Sequence, residues 1–361
     1  MASLHRRDVL TGAAAGLLIW RSGMTASAGE ARDVAAAFAA SHPFYGVVAT
    51  ASGGRIEGAA AFGKADIEAG SDATPATPYC IGSISKWLTS LTALRLSDAG
   101  KLDIDAPLSA LLPGYRKDTG DQVRLTHLLS NTSGIPDGFG PRMKADATLW
   151  TQSFTTQEAV AAFCSGDLAF APGSKFEYLF TNWVLVKAII EAATGEDFIA
   201  AMRRVTLAPL GLNATAPIFA YDGPNAVAPA YASIDPPARK MKPYRPYTLA
   251  SGGYVSTVGD LVAAAHGVYG GGFLSPAALT RLSAVLAPEE HYALGGRVRD
   301  VAIGGKRVRF AWETGRVDGY RSVLAHDIEA GRSIVVLNNT DLSQKDMDLL
   351  ALDIAGGAFA D

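Results

Sequence analysis

The chain has only two cysteines, Cys80 and Cys164. Neither is spaced for zinc, and each sits in apolar company. They read as buried free thiols rather than as part of a disulfide framework. Six histidines are present: His5, His42, His127, His266, His291 and His326. None belongs to an HExxH motif. There is also no Walker loop, no GxSxG elbow and no GxGxxG after a strand, so the motif-bearing forms of metalloprotease, nucleotide and dinucleotide chemistry have no foothold. Gly270-Gly271-Gly272 reads as a turn between helices, not a phosphate cradle. His127, set between Thr126 and Leu128-Leu129, reads as a core or capping residue, which leaves a serine-histidine-aspartate relay poorly supported. The net charge of −3 gives no electrostatic reason to expect nucleic acid or an anionic membrane as a partner. No internal repeat or low-complexity tract occurs, and no apolar run reaches spanning length.

What remains is the composition of an ordinary globular protein, 48% hydrophobic and 19% charged. A chain of 361 residues is long enough for one large domain or two lobes. The N-terminus is set apart. His5-Arg6-Arg7-Asp8-Val9-Leu10 precedes a mild apolar run to Trp20, and Ala26-Ser27-Ala28 matches a small-x-small cleavage site. We expect residues 1–28 to be a twin-arginine-type signal peptide, the mature chain to begin near Gly29, and the protein to be periplasmic or secreted.

Periodicity then lays out the fold. Ala31 to Ala40 reads as a helix, and Phe44 to Ala51 with Ile56 to Phe62 as a hairpin about Ser52-Gly53-Gly54. An amphipathic helix follows Ser83 to about Asp98, ended by Gly100. From there to about Pro246 the pattern shows helices (Leu125–Leu129, Thr156–Cys164, Thr181–Ala193, Phe198–Leu207) and almost no strand. Ala216 to Tyr247 reads as a long extended loop. Beyond Ser251-Gly252-Gly253, helices (Thr257–Val268, Pro276–Leu286) give way to strands (Val298–Ile303, Val308–Thr314, Ser322–His326, Ser333–Asn338). A closing helix covers Asp346–Ile354. Strands joined by short turns imply an antiparallel sheet. The expected class is α/β (α+β): residues 29–105 and 248–361 build an antiparallel sheet flanked by helices, and residues 106–247 form an inserted all-helical lobe with the long loop.

The chemistry centres on Ser83-Ile84-Ser85-Lys86. Residues three apart share a helix face, so the lysine amine comes within reach of the serine hydroxyl. A serine at the first turn also sits where N–H groups and the helix dipole favour negative charge. With histidine relays unsupported, the base for Ser83 is Lys86 or a tyrosine. A Ser-x-x-Lys pair alone is a weak motif, since roughly one is expected by chance in a chain of this length.

Around it, however, further segments fall in order: Gly100-Lys101-Leu102-Asp103-Ile104-Asp105-Ala106-Pro107, then Leu125 to Pro136 with His127-Leu128-Leu129 and Thr132-Ser133-Gly134. Pro172-Gly173 to Glu191 and Ser251-Gly252-Gly253-Tyr254-Val255-Ser256-Thr257 follow. Together they resemble the serine β-lactamase and penicillin-binding-protein superfamily over residues 32 to 340. The branch they are most similar to comprises class C β-lactamases, D-alanyl-D-alanine carboxypeptidases and family VIII esterases. The resemblance implies that Ser83 is the acylated nucleophile, that Lys86 takes or relays its proton, and that Tyr178 is the partner base and later acid. It also implies that the backbone N–H groups of Ser83 and Arg316 form the oxyanion hole.

Two departures bear on what the site accepts. The family's Tyr-x-Asn reads Tyr178-Leu179-Phe180 here, with Asn182 two residues on as the substitute if the backbone shifts. The family's Lys-Thr-Gly or His-x-Gly reads Glu313-Thr314-Gly315, so a carboxylate stands in the place of the cation. An inward Glu313 is expected to raise the proton affinity of Lys86 and Tyr178 and to repel substrate carboxylates, unless Arg316 or Arg321 neutralises it. An outward Glu313 would do neither. Asn182, Glu313, Thr314 and Gly315 are therefore the expected substrate-binding set. The reading is an exported serine hydrolase for a small-molecule ester, amide or peptide, with no metal or cofactor and more esterase or peptidase than efficient β-lactamase. The alternative is a weakened or inactive binding protein of the same fold.

Overall fold

The computed structural model describes residues 26–150, 152–240 and 244–359. The expected signal segment, residues 1–28, lies outside them except for its last three residues, which open α1 (Ala26–Ser41). Six strands make the central antiparallel sheet: β1 (Gly46–Ser52), β2 (Arg55–Phe62), β3 (Arg297–Ile303), β4 (Lys306–Val317), β5 (Tyr320–Asp327) and β6 (Arg332–Asn338). Their order is β3-β4-β5-β6-β1-β2. The β1–β6 pairing, from Gly46 opposite Asn338 to Ser52 opposite Arg332, joins the two ends of the chain. The middle of the chain is thereby an insertion. Its helices include α3 (Phe180–Thr194), and α2 (Ile84–Asp98) leads into it.

Both faces of the sheet are covered, and strand alternation divides the side chains between them. Val48, Phe310, Trp312, Val323, Ile334 and Val336 pack with α1 and with α5 (Gln344–Ala358). Val47, Ala49, Leu324, Val335 and Leu337 pack in the main core with α2 and with α4 (Val258–Tyr269).

Three expectations are corrected. The α2 helix is not amphipathic: every residue from Ile84 to Leu94 is buried, because the helix runs between the sheet and the helical lobe. Its threonine hydroxyls find main-chain acceptors inside the core. Thr89 Oγ1 donates to the carbonyls of Ser85 (2.9 Å) and Ala250 (3.0 Å). Second, residues 216–247 are not simply an extended loop. They hold short strands at Ala216–Pro217, Tyr231–Ile234 and Pro237–Arg239. Part of this stretch docks on the sheet lobe, with Ala228 N–H donating to Pro78 O (3.0 Å), Tyr231 N–H to Asn339 O (2.8 Å) and Tyr320 Oη to Ala228 O (2.7 Å). Third, β4 continues past Thr314 to Val317. It turns into β5 through Asp318-Gly319, both at positive φ (33° and 89°), as a tight two-residue hairpin requires.

A second, three-stranded sheet sets the start of α2. Tyr79 and Cys80 pair with Ser256 and Val255, Ala216 pairs with Val255 on the other side, and Ile81 N–H donates to Tyr254 O (2.9 Å). Both cysteines are buried and free. His127 has the capping role: its Nδ1 accepts from Arg124 N–H (3.1 Å) at the start of helix Leu125–Leu129. Among the described residues no helix is long and apolar enough to cross a membrane.

Candidate active site

Ser83 lies at the mouth of α2, where the chain leaves the small sheet through Gly82 at φ +50°. The N–H groups of Ile84, Ser85 and Lys86 close the first turn onto Ile81, Gly82 and Ser83 carbonyls. One turn along, Lys86 is 5% exposed. Its Nζ donates to Ser83 Oγ at 3.1 Å and to the Ser251 carbonyl at 2.6 Å. Nζ also lies over two aromatic faces, with ring centroids of Tyr178 at 4.9 Å and Trp183 at 5.7 Å. Lys86 is thus held by one backbone carbonyl and two rings with the serine hydroxyl in direct reach.

Strand β4 passes alongside. A Cβ built on Gly82 would stand 2.9 Å from Arg316 N, and one on Gly315 only 2.0 Å from Ile81 O. Both glycines let the two backbones approach until the Arg316 amide stands beside the Ser83 turn. Ser322 Oγ donates to Ile81 O at 3.0 Å and fixes that approach. Two amides converging beside a serine hydroxyl suit a developing oxyanion, and neither needs a particular side chain.

The cleft above Ser83 measures about 280 Å³. Phe139, Phe180 and Tyr244 give it an aromatic wall; Arg245, Arg316 and Asp318 also line it. Phe139 and Phe180 pack with ring centroids 5.0 Å apart. Tyr244 donates its hydroxyl to Cys80 Sγ (3.4 Å), and burial raises the proton affinity of both groups. A larger groove of about 760 Å³ runs along the edge strand past Ile56, Pro75 and Val258, but it contains no nucleophile paired with a base.

The structure brings Ser83, Lys86 and Arg316 together in the cleft. Tyr178, 43% exposed, joins them through its ring face on Lys86. The other expected residues stand elsewhere. Asn182 does not substitute for the missing asparagine. It is 1% exposed, accepts from Ser133 Oγ (2.6 Å) and donates to Asn131 Oδ1 (3.2 Å), so its amide braces the turn before Gly134. Phe180 occupies the cleft wall instead, because α3 begins there. Thr314 pairs with Val323, whose side chain packs toward α5, so it faces away from α2. Gly315 serves through its bare Cα rather than as a substrate contact.

Glu313 differs from both readings of it. It pairs with Leu324, on the α2 face of the sheet, and is 4% exposed. Yet it does not line the cleft, because the Gly295–Gly296 backbone runs between it and α2. Cβ positions on those two glycines would fall 2.7 Å from Lys86 O and 2.0 Å from both Glu313 oxygens, respectively. Burial pushes its pKa up to about 8, with Arg297 pulling weakly the other way. At pH 7 it is mainly neutral, so the repulsion expected of a carboxylate here does not arise.

Sequence reasoning missed the Ser251 carbonyl, Trp183, Phe139, Tyr244, Arg245 and Asp318. Only Asp318-Gly319 carried a readable local signal, the hairpin dipeptide.

The fold is thus a helix-flanked antiparallel sheet that sets a serine hydroxyl in direct reach of a buried lysine amine. The chain belongs to the Beta-lactamase family, whose profile matches residues 31–358. It is similar to Esterase EstB of Burkholderia gladioli, 34% identical over 161 residues that cover 42% of this chain and 41% of that protein. The chain therefore aligns with less than half of that curated relative. Among solved structures, a D-stereospecific amidohydrolase from Streptomyces sp. superposes with a TM-score of 0.70 at 24% identity, covering 89% of this chain and 97% of that one. EstCE1, described as a hydrolase with promiscuous acyltransferase activity, superposes with a TM-score of 0.72 at 20% identity, covering 92% and 98%. These two establish the shared fold; family membership places the chain among β-lactamase-fold serine hydrolases.

Proposed function

We propose that this protein is an exported serine hydrolase that cleaves a small ester or amide through an acyl-Ser83 intermediate. The observation that carries the reading is the 3.1 Å contact between Lys86 Nζ and Ser83 Oγ at the mouth of a cleft bordered by the Arg316 amide. Ser83 Oγ attacks the carbonyl carbon while its proton passes to Lys86. The carbonyl oxygen gathers charge against the Ser83 and Arg316 N–H groups. As the bond to the leaving group breaks, the Tyr178 hydroxyl gives its own proton to that group, and the proton that Lys86 took from Ser83 restores the phenol. A water then adds to the acyl-serine with the same groups in reverse, releasing the acid and free Ser83.

Two features favour simple esters and amides over efficient β-lactam turnover. Phe180 stands where the family has an asparagine amide, and Glu313 supplies no cation. The esterase and amidohydrolase among the similar proteins support the same choice. Export through a twin-arginine route rests on Arg6-Arg7 and the Ala26-Ser27-Ala28 site. Assaying p-nitrophenyl butyrate, D-amino acid amides and a penicillin with wild type and Ser83→Ala tests the proposal. Turnover of an ester or amide that Ser83→Ala abolishes is expected. Undiminished turnover by Ser83→Ala, or a preference for the penicillin over every ester and amide, would refute it.

A further inference from the structure

Glu313 has an environment of its own behind the site. Its carboxylate rests on the bare Cα of Gly296, and among the described residues it makes no hydrogen bond. The neighbouring buried Ser90 hydroxyl also lacks a partner, and the Tyr292 hydroxyl faces the Asn131 side chain. Tyr292 connects this space to the catalytic side: its ring meets Tyr178 edge-on (centroids 6.1 Å apart) and packs on Phe176 (5.1 Å). Both Tyr178 and Glu313 act electrostatically on its hydroxyl. The other groups facing Glu313 are Arg297 at the start of β3 and Tyr269 from α4; across the Gly295–Gly296 wall, α2 offers Ser90 and the backbone of Lys86.

We propose that Glu313 and Tyr292 are positioning residues, a proton-holding back wall behind Tyr178 that supports hydrolysis only while Glu313 is protonated. This rests on the hydrolase reading above. With the acid neutral, the enclosed space behind Tyr178 carries no charge. When its proton leaves to solvent, a poorly solvated anion appears beside the Tyr292 hydroxyl and behind Tyr178. Proton transfer at Tyr178 is then mismatched, because a nearby negative charge makes a phenol harder to deprotonate. The role differs from that of a cation at this strand position, which would hold Tyr178 in its anionic form.

The test follows kcat/KM for ethyl butyrate, whose ethoxide cannot leave without a proton, by acid release from about pH 6 to about pH 9.5, with Ser83 acylation checked by mass at each end. In wild type, kcat/KM should fall roughly tenfold per unit above about pH 8. Glu313→Gln, which cannot ionise, should hold its own neutral-pH value throughout. A wild-type profile without that fall, or the same fall in Glu313→Gln, overturns the proposal. A readout independent of turnover is the infrared carbonyl band of a protonated carboxylic acid. It should titrate away near pH 8 in wild type and be missing from Glu313→Gln; its absence from wild type also overturns the proposal. Tyr292→Phe should keep that band and lose about tenfold in kcat/KM at neutral pH, and unchanged kinetics would remove Tyr292 from the wall. Failure of Ser83 to acylate at any pH would instead sink the hydrolase reading, leaving the infrared band to report on Glu313 alone.

Discussion

Replacing Glu313 by glutamine should make the protein more stable in alkali and remove one identifiable part of its pH dependence. The carboxyl has a pKa of about 8 in the folded chain against 4.5 for the ordinary group, chiefly because burial disfavours the charged form. Between these values the folded state holds a proton that the unfolded state has released. Stability from this group is therefore fully present below about pH 4.5, falls as pH rises, and is gone above about pH 8. At about 1.4 kcal/mol per pKa unit, the full span costs wild type roughly 4–5 kcal/mol. This is a large part of a typical folding free energy. Glutamine fills nearly the same volume and never ionises, so Glu313→Gln should lack this slope. Urea unfolding of both proteins at about pH 5 and about pH 9 measures it. Other titrating groups contribute to both proteins alike, so the change in their difference isolates Glu313. Parallel pH profiles, with a difference that stays constant within about 1 kcal/mol, would show that Glu313 is already solvated or charged, and the account of its burial would fail.

Three other perturbations follow from close approaches and burial. Gly82→Ala should reduce kcat about a hundredfold with the fold intact by circular dichroism, because a Cβ at φ +50° would press on Arg316 N and spoil the amide pair; retained activity would refute that pairing. Gly296→Ala should cost about 1–3 kcal/mol by driving a methyl into the Glu313 carboxylate. Adding Glu313→Ala should recover part of the loss, and strict additivity in the double mutant would deny the contact. Thiol titration should find no reactive cysteine in the native protein and two after denaturation, since Cys80 and Cys164 are buried and free.

Much of the architecture was legible because it follows local rules. The helix after Ser83, its end at Gly100, the first hairpin and the closing strands all show the periods and turn residues their structures need. What escaped was set by tertiary partners. The α2 helix looks amphipathic through its Ser and Thr residues, but it is buried throughout, and carbonyls from its own turns and from Ala250 accept from the Thr89 and Thr92 hydroxyls inside the core. The short strands after Ala216 form against partners far away in sequence, so they leave little periodicity. Ser83 and Lys86 were readable because one helical turn fixes their spacing. Asn182 was misplaced because its side-chain direction depends on where α3 begins, and that start puts Phe180 in the cleft. Glu313 was readable as a strand residue facing α2, but the Gly295–Gly296 wall that separates it from Lys86 has no local signature.

The most direct measurement of the central claim is intact mass followed by peptide mapping after reaction with a fluorophosphonate. A single adduct on the peptide that contains Ser83, and none on Ser83→Ala, is the expected result. An adduct that persists in Ser83→Ala, or a folded wild-type protein that takes up no label, would contradict it.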